Sequence, residues 1–190
     1  MKAGDIYETL DRLVTRLKDE GIEYALIGAL ALVAHGYRRF TEDVALLMTR
    51  EGLNIFNDRF VGLGYIPAFG GATNAFRDVK TGVKIEVVTT GEYPGDGKPK
   101  PVAFPDPLDA RTERDGIWLI TLEKLIELKL ASGLSAPHRL KDISDIQELI
   151  IRLKLTKDFA RKLDNSVQTE FLRLWKNSQS APPEELERQS

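Results

Sequence analysis

The sequence predicts an α+β fold: a mixed β-sheet flanked by helices over residues 1–120, then a helical C-terminal part over 121–176. Three observations carry that reading. Short apolar runs bounded by glycine or polar turns recur at 23–27, 43–48, 74–78, 83–88 and 117–120, each the length of a buried or half-buried strand. Segments with apolar residues at helical spacing lie between the earlier runs. Beyond Gly116 the strand pattern stops after one further run, and only helical periodicity follows.

The elements justify themselves in order. Ile6, Leu10, Leu13, Val14 and Leu17 keep the i, i+4, i+7 spacing of an amphipathic helix, and Gly21 sits where such a helix stops. The run 23–27 is a strand, and Gly28 leads from it into a short helix over 30–34. Residues 43–48, DVALLM, make a second strand, and 52–63 a surface helix ending near Gly64. Residues 69–73 hold three small residues and read as a turn. A hairpin follows, 74–78 and 83–88 joined across Lys80-Thr81-Gly82. The segment 89–107 contains five of the nine prolines and three glycines, so it is expected to be a long ordered loop or an edge-strand excursion. The run 117–120 is the last strand. A helix from Thr121 to about Ser132 comes next, then one over 137–153 with Ile143, Ile146, Leu149, Ile150 and Leu153 on one face. Two shorter helices over 157–163 and 166–175 complete the pattern. The polar end, 177–190, is expected to be disordered.

Composition narrows the possible functions. The chain has 190 residues, 42% hydrophobic and 29% charged, enough to bury a core and unlike a disordered or fibrous protein. No apolar run approaches the roughly eighteen residues of a membrane helix, and MKAGDIYETL has no signal-peptide apolar segment. Without cysteine there is no disulfide framework, thiol nucleophile or thiolate metal site. A cytoplasmic location with no membrane partner is the expectation. The net charge of -2 offers no global argument for nucleic acid.

Four constellations bear chemistry. A strand ending in Gly28 and passing into a helix aims backbone N–H groups where a phosphate can approach, or it simply packs tightly. Asp43 in DVALL and Glu86 in KIEVV each interrupt an apolar strand. Paired strands would bring the two carboxylates to one magnesium ion, an oxygen-seeking cation, or leave them as solvent-facing residues with Glu86 opposing Lys84 or Arg77. Lys129 lies among Leu125, Ile126, Leu128 and Leu130 on a helix that reads as buried on most sides. Asp142 and Asp145 stand three apart on a later helical face, so Lys129 either staples two helices or meets a triphosphate. Arg38 and Arg39 form a basic loop suited to phosphate or to solvent. His35 and His138 are too few for a histidine-rich metal site, and His35 suits a structural hydrogen bond or a pocket wall. No nucleophile elbow, Walker loop or dinucleotide fingerprint is present.

Taken in order, Ile27-Gly28-Ala29, the TEDVALL strand, the VKIEVV strand, the LEKLIELKLASG helix and HRLKDISDIQELI resemble the nucleotidyltransferases of the DNA polymerase beta superfamily. The closest similarity is to small bacterial abortive-infection-type toxins of toxin–antitoxin systems. The resemblance spans about residues 23–153. It implies a nucleotidyltransferase-like sheet with Gly28, Ala29, Arg39 and Thr41 at the nucleotide phosphates and Asp43 and Glu86 as magnesium ligands. Lys129 and Asp142 would be polar residues of the helical part that line the nucleotide site.

Two departures from the family pattern matter. Ala29 replaces the second glycine, a mild change where its φ stays negative. Ala45 stands where the second metal carboxylate of Asp-x-Asp belongs. Family chemistry uses two metal ions to activate the attacking hydroxyl and stabilise the phosphoryl group, so magnesium would be weakly held or absent here.

The resulting expectation is NTP- and magnesium-dependent transfer of a nucleotide to an acceptor such as tRNA, toxin-like, with activity weak or absent as written. A cognate antitoxin would be a partner. Two rivals stand beside it: a non-catalytic nucleotide- or partner-binding pseudoenzyme, and transfer onto a small molecule. A site mouth lined by Arg38, Arg39, Lys98 and Lys100 would favour RNA, and an acidic one a cationic small molecule.

Overall fold

A computed structural model describes residues 3–179. Among these residues no helix is long and apolar enough to cross a membrane. The chain divides into two compact units. The first comprises the residues up to Glu92 together with Ala103–Leu125, and the second comprises Tyr93–Val102 together with the residues from Ile126 onward.

In the first unit, α1 (Ala3–Asp19) leads into β1 (Tyr24–Ile27), α2 (Gly28–Ala34), β2 (Asp43–Met48) and α3 (Arg50–Phe60). Strands β3 (Tyr65–Pro67), β4 (Ala75–Asp78), β5 (Lys84–Thr89), β6 (Arg111–Arg114) and β7 (Ile117–Ile120) follow. They form one seven-stranded mixed sheet in the order β3-β4-β5-β2-β1-β7-β6. Strand β2 runs antiparallel to β1 and parallel to β5, and β1 runs parallel to β7. The expected mixed sheet with flanking helices is what the chain forms.

Local chemistry accounts for the element ends. Helix α1 closes on a Schellman turn, with the Gly21 N–H donating to Lys18 O and the Ile22 N–H to Leu17 O. At the start of α3, Thr49 Oγ1 accepts the Gly52 N–H at 3.0 Å, satisfying one of the orphan donors of the first turn.

The core of this unit is one apolar cluster. Ile6, Leu10, Leu13, Val14 and Leu17 of α1 join Leu53, Phe56 and Phe60 of α3 and one face of the sheet. On that face stand Val44, Leu46 and Met48 of β2 with Ile85 and Val87 of β5, all essentially inaccessible. Phe56 stacks on Phe60 with ring centroids 4.5 Å apart and tilts against Phe76 at 4.6 Å.

Two strands were absent from the sequence reading. Strand β3 is three residues long and contains Pro67, and β6 reads Arg-Thr-Glu-Arg with little burial. Both are sheet edges, where an apolar run is not required and proline or charge discourages further pairing. The β6–β7 hairpin had a legible signal nonetheless: Asp115 and Gly116 both take positive φ, forming a two-residue turn between the Arg114 and Ile117 pair. Helix α2 begins at Gly28, two residues before its expected start.

The proline-rich segment gives its first residue, Thr89, to the end of β5 and is otherwise a loop without strands. Its base is clasped within the first unit, where the Gly91 N–H donates to Phe104 O and the Phe104 N–H to Glu92 O. The excursion between, Tyr93–Val102, lies inside the 1–120 stretch of the sequence but groups with the second unit.

The second unit is helical. Helix α4 (Leu122–Ser135) carries the chain into it, a 3-10 turn at Pro137–Arg139 precedes α5 (Leu140–Arg152), and a 3-10 segment Lys157–Lys162 precedes α6 (Asn165–Ser178). Helix α6 therefore takes in the first two residues of the tail expected at 177–190. Gln179 caps that helix, and the tail from 180 lies outside the described residues. Phe171, Leu174 and Val167 of α6 are buried, as are Ile146, Leu149 and Ile150 of α5. The excursion docks on α4 through Gly95, whose φ is +78; a Cβ there would lie 2.7 Å from Ser132 O and 2.3 Å from Ser135 Oγ. Backbone cannot yield that space, so no larger residue fits.

Asp78, at the end of β4, is a buried carboxylate that ties the sheet to α1. It accepts from Thr9 Oγ1 at 3.1 Å, from the Lys80 N–H at 2.9 Å and from the Arg12 guanidinium. Burial by itself would raise its pKa, but those donors outweigh it and hold the carboxyl below its ordinary 3.8. A folded-state pKa below the unfolded value adds stability above the ordinary carboxylate range, lost as pH falls through the folded value. Replacing Asp78 by Asn should cost about 1.5–3 kcal/mol at neutral pH. In urea denaturation from pH 7 down to 2, the variant should also show a shallower acid decline than the natural chain; parallel declines would refute this role.

Candidate functional site

Alternation along β2 sends Val44, Leu46 and Met48 into the core and leaves Asp43 and Ala45 half-buried on the opposite face. The same alternation on β5 buries Ile85 and Val87 and leaves Lys84 and Glu86 half-buried. The parallel register then sets Asp43 beside Lys84 and Ala45 beside Glu86. Across the antiparallel β4–β5 pair, Ala75 sits by Glu86 and exposed Arg77 by Lys84. The two sequence-predicted carboxylates thus share one patch of sheet, on adjacent strands and one pleat apart.

Each carboxylate has a local partner. Thr41 Oγ1 donates to Asp43 Oδ1 at 2.7 Å, which fixes the aspartate at the mouth of β2. Lys84 Nζ donates to Glu86 Oε1 on the same face of β5. The bland alternative for Glu86, opposition by Lys84, is therefore present in the structure. Among the described residues no three His, Asp or Glu side chains gather as a metal site requires. The side chains present do not fit a two-metal centre.

Gly28 belongs to the same place. It follows β1 directly, has φ +66, and a Cβ built on it would lie 3.1 Å from the Ala45 Cβ. The β1–β2 register explains this contact, since Ile27 is the partner of Ala45. Positive φ and the close approach both demand glycine here. Ala29, by contrast, sits inside α2, and its φ is not among the positive ones. The replacement of the second glycine is therefore conformationally harmless. Between α2 and β2, Arg38 is exposed and Arg39 half-buried.

His35 takes the structural role. Its Nε2–H donates to Ile120 O at 2.8 Å, and burial, the largest influence, pushes its pKa below the usual histidine value. His138 is exposed in the 3-10 turn.

In the second unit, Lys129 of α4 is buried and donates to both Asp142 Oδ1 and Asp145 Oδ2, each at 2.7 Å. Ser132 Oγ donates to Asp142 Oδ2 at 2.7 Å and Arg139 Nε reaches the same oxygen at 2.8 Å. Burial opposes ionisation of Asp142, but Lys129, Ser132 and Arg139 more than offset it and hold its pKa below 3.8. The sequence had singled out Lys129 with Asp142; it missed Ser132, although the three-residue spacing to Asp145 already placed both acids on one face. Lys100, one of the basic residues considered for RNA, is committed inside its own loop, with Nζ 2.7 Å from Pro94 O and 2.5 Å from Asp96 Oδ1.

Comparison with solved structures follows the same lines. An antigenic nucleotidyltransferase-like protein from Paracoccidioides brasiliensis superposes with a TM-score of 0.58 at 16% identity, covering 100% of this chain and 93% of that one. The JHP933 protein of Helicobacter pylori gives 0.51 at 16% identity, over 100% and 96%. A candidate nucleotidyltransferase from Thermotoga maritima gives 0.50 at 19% identity, over 76% and 93%.

The chain has a nucleotidyltransferase-like fold.

No family model matches the sequence, and no curated protein matches it. At these identities the comparison establishes the nucleotidyltransferase-like fold, while chemistry has to be argued from the residues. Within that fold, Gly28 and Ala45 occupy one contact, and Asp43 and Glu86 flank it.

Two substitutions test this geometry. Gly28→Ala imposes the left-handed conformation on a residue with a Cβ and presses it on Ala45; a loss of about 2 kcal/mol in denaturant unfolding is expected. An unchanged midpoint would mean that the turn relaxes. Lys129→Met removes the cation shared by buried Asp142 and Asp145 while Arg139 and Ser132 stay on Asp142, and a loss of about 3 kcal/mol is expected. Near-neutrality in the same measurement would show that Lys129 does not staple α4 to α5.

Proposed function

We propose that this protein uses its nucleotidyltransferase-like fold to bind a nucleoside triphosphate, and that its transfer of a nucleotide to an acceptor such as tRNA is weak or absent as the chain stands. The observation that carries this is Ala45. In register with Glu86 and against Gly28, a methyl group occupies the position at which a second strand carboxylate would stand. Losing one positioned catalytic group commonly costs on the order of 100-fold or more in rate. Here the loss also falls on a ligand position of the magnesium ions that the chemistry requires.

In this reading Gly28 and Ala29 present backbone N–H groups to the phosphates, with Thr41 and Arg39 at the edge of the site. Asp43 and Glu86 are the remaining acidic positions. Lys129 and Asp142, which the resemblance assigns to the lining of the nucleotide site, are bonded to one another within the helical unit. Transfer onto a small molecule uses the same core and differs only in acceptor. A toxin-like role with a cognate antitoxin extends the reading on the strength of motif order.

The test is a transfer assay with α-labelled ATP, CTP, GTP and UTP, magnesium and total bacterial tRNA, run on this chain and its Ala45→Asp variant side by side. Label on RNA only with Ala45→Asp, or at least about 100-fold more of it, is the expected outcome. Equal, efficient transfer by the natural chain would overturn the proposal. Absence of transfer by both would make RNA the wrong acceptor or catalysis the wrong idea, and would shift the reading toward binding.

A further inference from the structure

The half-buried face that carries Asp43 and Glu86 also carries two cations at defined register positions. Lys84 stands beside Asp43 across the parallel β2–β5 pair, and its Nζ donates to Glu86 Oε1. Arg77 stands beside Lys84 across the antiparallel β4–β5 pair. The formal charge of this patch is therefore zero, from Asp43 and Glu86 against Lys84 and Arg77. A centre built to hold two divalent ions would instead gather three carboxylates without an internal cation.

We infer that the Lys84 ammonium takes the place of the divalent cation in this site, so that the protein binds a nucleoside triphosphate without magnesium. The inference rests on the nucleotide-binding reading above and goes beyond it by naming the group that supplies the positive charge. Three physical points support it. A divalent ion approaching this patch would have to displace an ammonium from Glu86 and then share the patch with it, which like-charge repulsion opposes. A lysine on a strand is a compact, mobile point charge with three donors, able to keep one on Glu86 while turning others to a phosphate oxygen. Lys84 is also partly exposed, its side chain 37% accessible, so an anion can reach it without unfolding the strand. Arg77 contributes the second charge of the patch, although its Nη1 also donates to Gly82 O at 3.2 Å.

Calorimetric titration of the full chain with ATP, GTP, CTP and UTP, in EDTA and in magnesium, tests this directly. Binding of at least one triphosphate in EDTA is expected, with magnesium changing its affinity by less than about twofold. Lys84→Met should weaken the binding in EDTA by about tenfold, and Lys84→Arg should restore most of it. The Ala45→Asp variant, with its third carboxylate, should gain a dependence on magnesium. Manganese titrated alone and followed by electron paramagnetic resonance should remain free in the presence of the natural chain.

Affinity that requires magnesium, tight manganese binding by the natural chain, or unchanged affinity in Lys84→Met with native circular dichroism would each overturn the assignment of Lys84 and leave nucleotide binding standing. No binding of any triphosphate under either condition would overturn both readings.

Discussion

Strand β2 lies between β1 and β5, and its side chains alternate strictly between the two faces of the sheet. One parity, Val44, Leu46 and Met48, is inaccessible and fills the core against α1 and α3. Slipping the strand by a single residue would bury Asp43 and expose that apolar set, so the register is fixed by several buried side chains at once. The candidate site rides on this constraint. Because β2 cannot shift, Asp43 and Ala45 are held on the other face, Glu86 is held beside Ala45, and Gly28 is held over it. The site inherits its geometry from the core.

Charge is handled in two different ways in this molecule. Asp78, Asp142 and Asp145 are buried and each accepts from at least one donor, which makes their removal costly and their role architectural. The pairs on the site face are half-exposed, worth little to stability, and free to exchange partners. That contrast separates side chains that hold the fold from side chains placed to meet something outside it. Lys129 belongs to the first group, and Lys84, which the sequence showed only as a neighbour of Glu86, is proposed for the second.

Much of the fold was legible because the central strands are governed by burial, and burial leaves a periodic trace. The ends of β2 and β7 were read to the residue, and those of β5 within one. The edges were not, since β3 buries only Tyr65 and β6 is largely exposed, and both are specified by turn geometry and by the strands beside them. At the site, Gly28, Asp43 and Glu86 were legible as polar or flexible interruptions of apolar strands. What could not be read was which side chains complete their surroundings. That Glu86 meets Lys84 is set by side-chain rotamers two residues apart on one strand, and Lys129 needed the packing of α4 on α5 to show that it serves two aspartates rather than one.

The partition of the chain has a consequence for its biosynthesis. Each unit is assembled from two stretches of sequence that interrupt one another, since residues 93–102 are separated from the rest of their unit by 103–125. On the ribosome, the sheet cannot be completed when β5 emerges, because β1 still awaits β7 as its parallel neighbour. The loop that carries Gly95 is made before the helix it docks on exists. Both units therefore finish late, and no single cut of the polypeptide separates one from the other. A truncated product stalled near residue 100 would expose an open flank of β1, whereas the finished chain has that flank covered by the last strand to be made.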